Sequence, residues 1–291
     1  MIKRVEIKTI DDASLLFLDQ QYNDNIHRLR TNYIYRGIPD TSYKLETSLR
    51  RVCRHRSKLI EPSILLNFTK YAINEDPQLY TSVWRQMILG QHHGLPTRLL
   101  DWTHSSLIAL HFATSENNIS DTDKRDGMVW RIDVEELAEL LPPVYRDKLK
   151  AEHSFIFSVS QLDPIASTTD KYDQDMGNKS MVIIEPPSLD QRIISQYSYF
   201  SIVPDGIRDI EKFLDDNTEN TVCYVIDKHV RWDIRDMLDQ FNISERVLYP
   251  GLDGLSKWIA RHYYVMDSLY EEETGLNDQN LSFLENGSIT V

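Results

Sequence analysis

Apolar residues recur at threes and fours in some stretches of the chain and alternate with polar ones in others. These two periods are those of a half-buried helix and a half-buried strand. Residues 4–7 alternate and predict a short strand. Behind them Leu15, Leu18, Tyr22 and Ile26 predict a helix over 11–29, with Asp11 or Asp12 as its cap. The run YIYRG predicts a strand ending at Gly37, with the turn signal Ile38-Pro39-Asp40 after it. A helix is expected over 61–74 with Pro62 in its first turn, and another over 77–89 closed by Gly90. Residues 91–103, QHHGLPTRLLDWT, read as a loop, and 105–115, SSLIALHFATS, as an apolar helix. Beyond them GMVWRID, HSFIFSV, KSMVIIE, QRIISQYSYFSIV and TVCYVID read as strands. Helices over 133–141, 207–215, 232–241 and 256–266 are expected among and after them. Helices lead and strands follow without a regular βαβ beat, which is an α+β pattern. There is no internal repeat and no linker rich in Gly, Ser or Pro; the polar stretch 115–127 is a domain break or one exposed loop.

Composition narrows the class. The chain has 291 residues, 41% hydrophobic and 26% charged, as an ordinary globular protein does. No run of about 18 apolar residues occurs, and the N-terminus has no apolar core of a signal peptide, so a cytoplasmic protein is expected. Two cysteines, Cys53 and Cys223, are too few for a disulfide framework or a Cys-based zinc site. The net charge of −13 disfavours coating of long nucleic acids, which needs clustered cations. That charge is unevenly spread. Residues 1–60 hold twelve Lys/Arg against seven Asp/Glu, with Arg50, Arg51, Arg54, Arg56 and Lys58 close together. The last 26 residues hold six acids and no Lys or Arg, and this tail is expected to be loosely held. Such asymmetry marks either a site for a phosphate-bearing ligand or a solvated basic face with an acidic tail.

The chemistry concentrates in 89–113, LGQHHGLPTRLLDWTHSSLIALHFA. Gln91, His92, His93, Arg98, Asp101, Trp102, Thr103 and Ser105 lie there between apolar flanks, so they satisfy one another or face a ligand. Arg98 and Asp101 can pair across the turn, and Thr103 or Ser105 can cap the next helix. Trp102 beside a helix N-terminus would suit stacking next to a phosphate. Adjacent histidines without H-x-x-x-H or H-x-H spacing are poor metal ligands, so no metal site is expected. Cys223 sits in an apolar strand, and Cys53, though among arginines, has no assignable partner for nucleophilic catalysis. No G-x-S-x-G, Walker or Rossmann glycine pattern is present.

The run Tyr35-Arg36-Gly37, the block GLPTRLLDWTHSSLIALHFA, then RIISQYSYFSI and LYPGLDGLSKWIA resemble the FRG domain, in order, over residues 30–265. That family, found mainly in bacterial and phage proteins, takes its name from an aromatic-Arg-Gly motif. The resemblance implies one domain over 30–265, an extension over 1–29 and the acidic tail over 266–291. More distantly, the layout is similar to the ADP-ribosyltransferase fold. This implies a helical N-terminal part packed on a central, mainly antiparallel split sheet, with NAD as cosubstrate. By that similarity Arg36 contacts NAD phosphate or ribose, Thr103 and Ser105 support the nicotinamide ribose, and Gln196 stands where an acidic residue binds the 2′-hydroxyl. Tyr35, Gln91, His92, His93, Arg98, Asp101 and Trp102 would line the cofactor. Gln196 lacks the charge of a carboxylate, and Glu185 is an alternative; His92 and His93 would instead supply base or 2′-hydroxyl contacts, in the manner of RNA 2′-phosphotransferases. The resemblance further implies a toxin or anti-phage effector that modifies nucleic acid or protein, with an antitoxin or other regulatory partner. The competing classes are a nucleotide or nucleic-acid binding module without turnover, using Arg36, Arg98 and the 50–58 cluster with Tyr33, Tyr35 and Tyr43, and a scaffold. What separates them is whether Arg36, Thr103, Ser105 and Gln196 converge on one pocket.

Overall fold

The structure, a computed structural model, describes residues 1–17, 21–24, 27–188 and 190–266. Leu18 and Ile26 of the expected first helix, and the acidic tail from residue 267, lie outside the described residues. Ten strands occur among the described residues: β1 (Lys3–Ile7), β2 (Gln21–Asn23), β3 (Arg28–Arg30), β4 (Tyr33–Ile38), β5 (Leu99–Thr103), β6 (Gly127–Asp133), β7 (Phe157–Ser158), β8 (Val182–Glu185), β9 (Ser198–Ile202) and β10 (Val222–Ile226). Eight form one sheet in the order β1-β10-β6-β4-β5-β9-β8-β7, and β2 with β3 forms a separate hairpin. The end pairs β1–β10 and β8–β7 are parallel and the inner pairs antiparallel, so the α+β sheet is mixed. β1 is thus built into the sheet as an edge strand beside β10.

The middle of this sheet opens. β4 runs beside β6 from Tyr33 opposite Asp133 to Ile38 opposite Met128, and β5 beside β9 from Leu99 opposite Ile202 to Thr103 opposite Ser198. Between them, β4 and β5 meet only where Tyr35 faces Thr103. Each half has its own helical cover. Trp84, Met87 and Ile88 of the helix Val83–His92 pack with Leu99, Phe200 and Ile202 on one. Ala109, Leu110 and Ala113 of the helix Ser106–Thr114 pack with Tyr35, Val129 and Tyr224 on the other. Ile34, Leu100, Trp102, Trp130 and Ile183 join both halves through a single cluster.

Several sequence expectations shift. In place of the helix over 11–29 the structure has the shorter helix Ile10–Phe17, and Gln21–Asn23 pairs with Arg28–Arg30 as strands. The third helix is Ser57–Ala72, so Pro62 lies inside it and not in its first turn. Residues 77–89 divide into a 3₁₀ turn, Pro77–Thr81, and the helix Val83–His92, whose N-terminus is capped by Ser82. Gly90 is interior to that helix, where the Leu95 side chain packs against it; the left-handed stop is Gly94, at φ 84°. The expected loop 91–103 ends in β5, a central strand. QRIISQYSYFSIV begins as the helix Gln191–Ser195, capped by Asp190, before becoming β9. The polar 115–127 stretch is a loop between the helix Ser106–Thr114 and β6, containing the 3₁₀ turn Ile119–Asp121.

A buried ionic cluster anchors the C-terminal helices. Arg261 of the helix Leu252–His262 donates to Glu245 Oε1 at 3.0 Å and to Asp239 Oδ1 at 2.7 Å, while Arg235 also pairs with Glu245. Burial works against the Glu245 carboxylate, but Arg235 and Arg261 outweigh it and hold the group at about 2. A depressed carboxylate stabilises the fold above its unfolded value near 4.5 and loses that contribution as pH falls toward 2. Acid unfolding of Glu245→Gln, followed by circular dichroism, is therefore expected to depend less steeply on pH in that window. An unchanged slope would assign the acid sensitivity elsewhere.

Candidate functional site

The opening between β4 and β5 forms a cleft of about 450 Å³. Arg36 enters it from β4, next to the pair Tyr35 and Thr103 where the strands last touch. Its Nη1 donates to the Asp101 carbonyl at 2.7 Å and lies 3.3 Å from Asp101 Oδ2, bridging the gap that the lost strand pairing leaves. Its side chain keeps 23% exposure, and among the described residues its Nε has no hydrogen-bond partner. Burial pulls its pKa down and Asp101 opposes the fall. Asp101 accepts on its other oxygen from Gln91 Nε2 at 2.9 Å, and Gln91 is held in turn by the Thr97 hydroxyl. A chain of polar contacts therefore runs from Arg36 through Asp101 and Gln91 down the end of the helix Val83–His92.

Thr103 and Gln196 also meet at the cleft. The Thr103 hydroxyl donates to the Gln196 carbonyl at 2.7 Å and accepts from the Ser105 backbone at 3.2 Å, so both its roles are spent on the fold. Gln196 caps the helix Gln191–Ser195 at its C-terminus; it is not on a strand, and its Nε2 donates to the Leu248 carbonyl at 3.0 Å. Tyr197 follows in the left-handed region at φ 47°, and His104 N donates to its carbonyl at 3.1 Å, which ties this turn to the end of β5. Two further cations line the cleft. Arg51 comes from the helix Ser48–Cys53, and Arg192 stands over the Tyr249 ring at 4.9 Å.

The remaining expected residues lie elsewhere. Ser105 caps the helix Ser106–Thr114, accepting from Ile108 N at 3.3 Å, and is not part of the cleft lining. Trp102, by contrast, does line the cleft, but it is only 3% exposed, packs in the core and donates to the Ser201 hydroxyl. Arg98 does not pair with Asp101: it is buried against Glu61 and Asp173, at 2.8 Å from Glu61 Oε1 and 2.6 Å from Asp173 Oδ1. His92 lies 3.2 Å from Asp190 and His93 packs edge-on against His92; neither lines the cleft. Burial lowers the His92 pKa, with Asp190 opposing. Glu185, at the end of β8, belongs to a different hollow. Among the described residues no group of His, Cys, Asp and Glu could hold a metal ion. Cys223 is buried in β10, where burial pushes its thiol up to about 11. No described helix is long and apolar enough to cross a membrane.

Arg192, Phe112 and Ser198 line the cleft without having been marked by the sequence. Arg192 had a readable signal. With Asp190 as a cap, Arg192 and Gln196 stand four apart and share one helical face. Comparison with curated proteins gives no match, and comparison with solved structures gives none. The segment that supplies β4, the arginine-rich turn, β5 and the helix Ser106–Thr114, residues 31–122, matches the FRG domain.

Proposed function

We propose that the cleft binds NAD and that the protein acts as an ADP-ribosyltransferase on nucleic acid or protein, as a toxin or anti-phage effector would. The observation that carries this reading is the meeting of Arg36, Thr103 and Gln196, from three separate segments, with Arg51 and Arg192 around one cleft. Three guanidinium groups suit a pyrophosphate, whose paired oxygens match their planar forks. In the reaction the bond between ribose C1′ and the nicotinamide nitrogen breaks, and its electron pair leaves with neutral nicotinamide. An acceptor oxygen or nitrogen then bonds to C1′ and gives up its proton. Gln196 is neutral, so the carboxylate in the lining that can favour a cationic sugar is Asp101. Thr103 acts as a positioning residue, fixing the Gln196 turn against β5.

Calorimetry with NAD and transfer of label from NAD into cell extract test this. Arg36→Lys keeps the charge but loses the fork, and about tenfold weaker NAD binding is expected. Asp101→Asn is expected to cut label transfer by about a hundredfold while NAD binding changes much less. A wild-type protein that binds no NAD overturns the proposal. A second reading, a nucleotide-binding module without turnover, is favoured by the commitment of the Gln196 amide to Leu248 and of Asp101 to Arg36 and Gln91. NAD that binds and is recovered intact would select it.

A further inference from the structure

Behind the cleft lies a second chamber of about 530 Å³, and Gly37 and Phe112 line both. Its walls carry the aromatic rings of Tyr43, Phe112 and Tyr249, with the Asn118 amide at the rim. His111 and Arg235 also line it, at 1% and 3% exposure. Among the described residues, neither His111 Nε2 nor Arg235 Nε meets a hydrogen-bond partner. A buried polar group left unpaired is costly, so two on one chamber mark a place that a polar guest would complete. The other Arg235 nitrogens are used: Nη1 donates to the Ser115 hydroxyl at 2.6 Å and to the His111 carbonyl at 3.3 Å, and Nη2 pairs with Glu245. Arg235 is thereby fixed at the C-terminal end of the helix Ser106–Thr114, with only Nε left over.

We propose that this chamber receives the purine-type base of the nucleotide whose phosphates lie on the cleft arginines. The proposal rests on the nucleotide reading of the cleft and assigns the second half of the ligand. The fit is chemical as well as spatial. Phe112 and Tyr249 stand edge-on with ring centroids 6.5 Å apart, and His111 lies 5.7 Å from Phe112 and 6.5 Å from Tyr249, so three rings make an aromatic corner of a chamber whose other walls carry Glu116, Glu245, Lys257 and Arg261. A purine ring nitrogen accepts the Arg235 Nε–H, and the Asn118 amide both donates and accepts, as a base edge requires. Burial, reinforced by Arg235, brings His111 down to about 3, so the ring is neutral and its Nε2 is free to take either role. Arg192 over Tyr249 links the phosphate side to the base side, since Arg192 lines the cleft and Tyr249 the chamber.

The test compares adenosine 5′-monophosphate, ribose 5-phosphate and adenosine by calorimetry on the full chain. His111→Phe keeps the ring's bulk while removing Nε2, and Asn118→Ala changes an exposed residue, so folding is not at stake in both. Each is expected to weaken adenosine 5′-monophosphate about tenfold and leave ribose 5-phosphate within about twofold. Arg51→Ala is expected to weaken both phosphate ligands equally. Adenosine 5′-monophosphate binding that is untouched by both chamber variants, or that falls together with ribose 5-phosphate, overturns the base site while leaving the cleft reading in place. Adenosine and adenosine 5′-monophosphate that bind equally and depend on His111, in a protein with no affinity for ribose 5-phosphate, support the chamber and overturn the cleft. A wild type that binds none of the three overturns both.

Discussion

Arg98→Ala is expected to destabilise the protein by about 3–5 kcal/mol, the cost of stripping one partner from a buried ionic group. Arg98 is 5% exposed and its guanidinium forks onto Glu61 through Nε and Nη2 while Nη1 takes Asp173. Burial alone would weaken its hold on the proton, but Glu61 and Asp173 raise its pKa above the ordinary arginine value. Alanine would leave two carboxylates facing each other in a space without a cation, with Lys58 Nζ at 4.0 Å from Asp173 as the next nearest. The group also carries chain connections. Asp173 Oδ1 accepts from Asp205 N at 3.0 Å, and the Arg98 carbonyl accepts from Val203 N, so the end of β9 is held through the same residue. Arg98→Lys should fall in between, keeping charge without the bidentate fork. Arg98→Met combined with Glu61→Leu and Asp173→Asn should recover much of the loss, since an apolar replacement removes the desolvation cost along with the attraction. Urea unfolding measures all three. Because Arg98 is not in the cleft lining, the variants that stay folded should leave the proposed NAD binding unchanged; a selective loss of binding would return Arg98 to the ligand site.

The same residue shows where sequence reading stops. GLPTRLLDWT announced a polar cluster in apolar surroundings, and its members do satisfy one another or face a cleft. Which does which depended on pairing partners far along the chain. Arg98 found Glu61 and Asp173, 37 and 75 residues away, and not Asp101 nearby. Local signals were legible where the chemistry is local: Ser105 as a cap, the apolar helix Ser106–Thr114, and the buried apolar runs of β6, β8 and β10. Trp102 illustrates the opposite case. Reading 91–103 as a loop left its ring free to stack, whereas β5 places Leu100 and Trp102 in the core while Asp101, between them, is exposed. Gln196 misled for a related reason, since QRIIS looks like the start of a strand until Asp190 is recognised as a cap. The opening between β4 and β5, on which the cleft depends, arises from a register that ends after one residue pair, and no local pattern carries that information.

Gly37→Ala is expected to be at least as damaging, and for the reason that the aromatic-Arg-Gly run ends in glycine. A Cβ added there would fall 1.8 Å from the Ala109 carbonyl oxygen and 2.6 Å from Ala113 N. Both are backbone atoms of the helix Ser106–Thr114, so no side chain can turn aside to make room. Gly127 meets the same helix at the Ala113 carbonyl, 2.2 Å from its own would-be Cβ, and so the helix beds on two glycines. Forcing a methyl between them must lift the helix from β4, and a cost above the ordinary overpacking range of about 1–3 kcal/mol is expected. Gly94→Ala is the informative contrast. Nothing lies within 4 Å of its Cβ position, so only its left-handed φ of 84° is penalised, at about 1–2 kcal/mol. Thermal unfolding should rank wild type above Gly94→Ala above Gly37→Ala. Adding Ala109→Gly should not rescue Gly37→Ala, because the obstacle is a carbonyl and not the alanine methyl; rescue would show that the side chain sets the spacing. Gly37 also lines both the cleft and the chamber behind it, next to Arg36 on the same strand. Any Gly37→Ala molecules that fold below the melting temperature should therefore bind NAD and adenosine 5′-monophosphate more weakly, whereas Gly127→Ala, which lines neither, should lose stability with less effect on binding. Equal binding losses in the two glycine variants would mean that the helix position alone shapes the site.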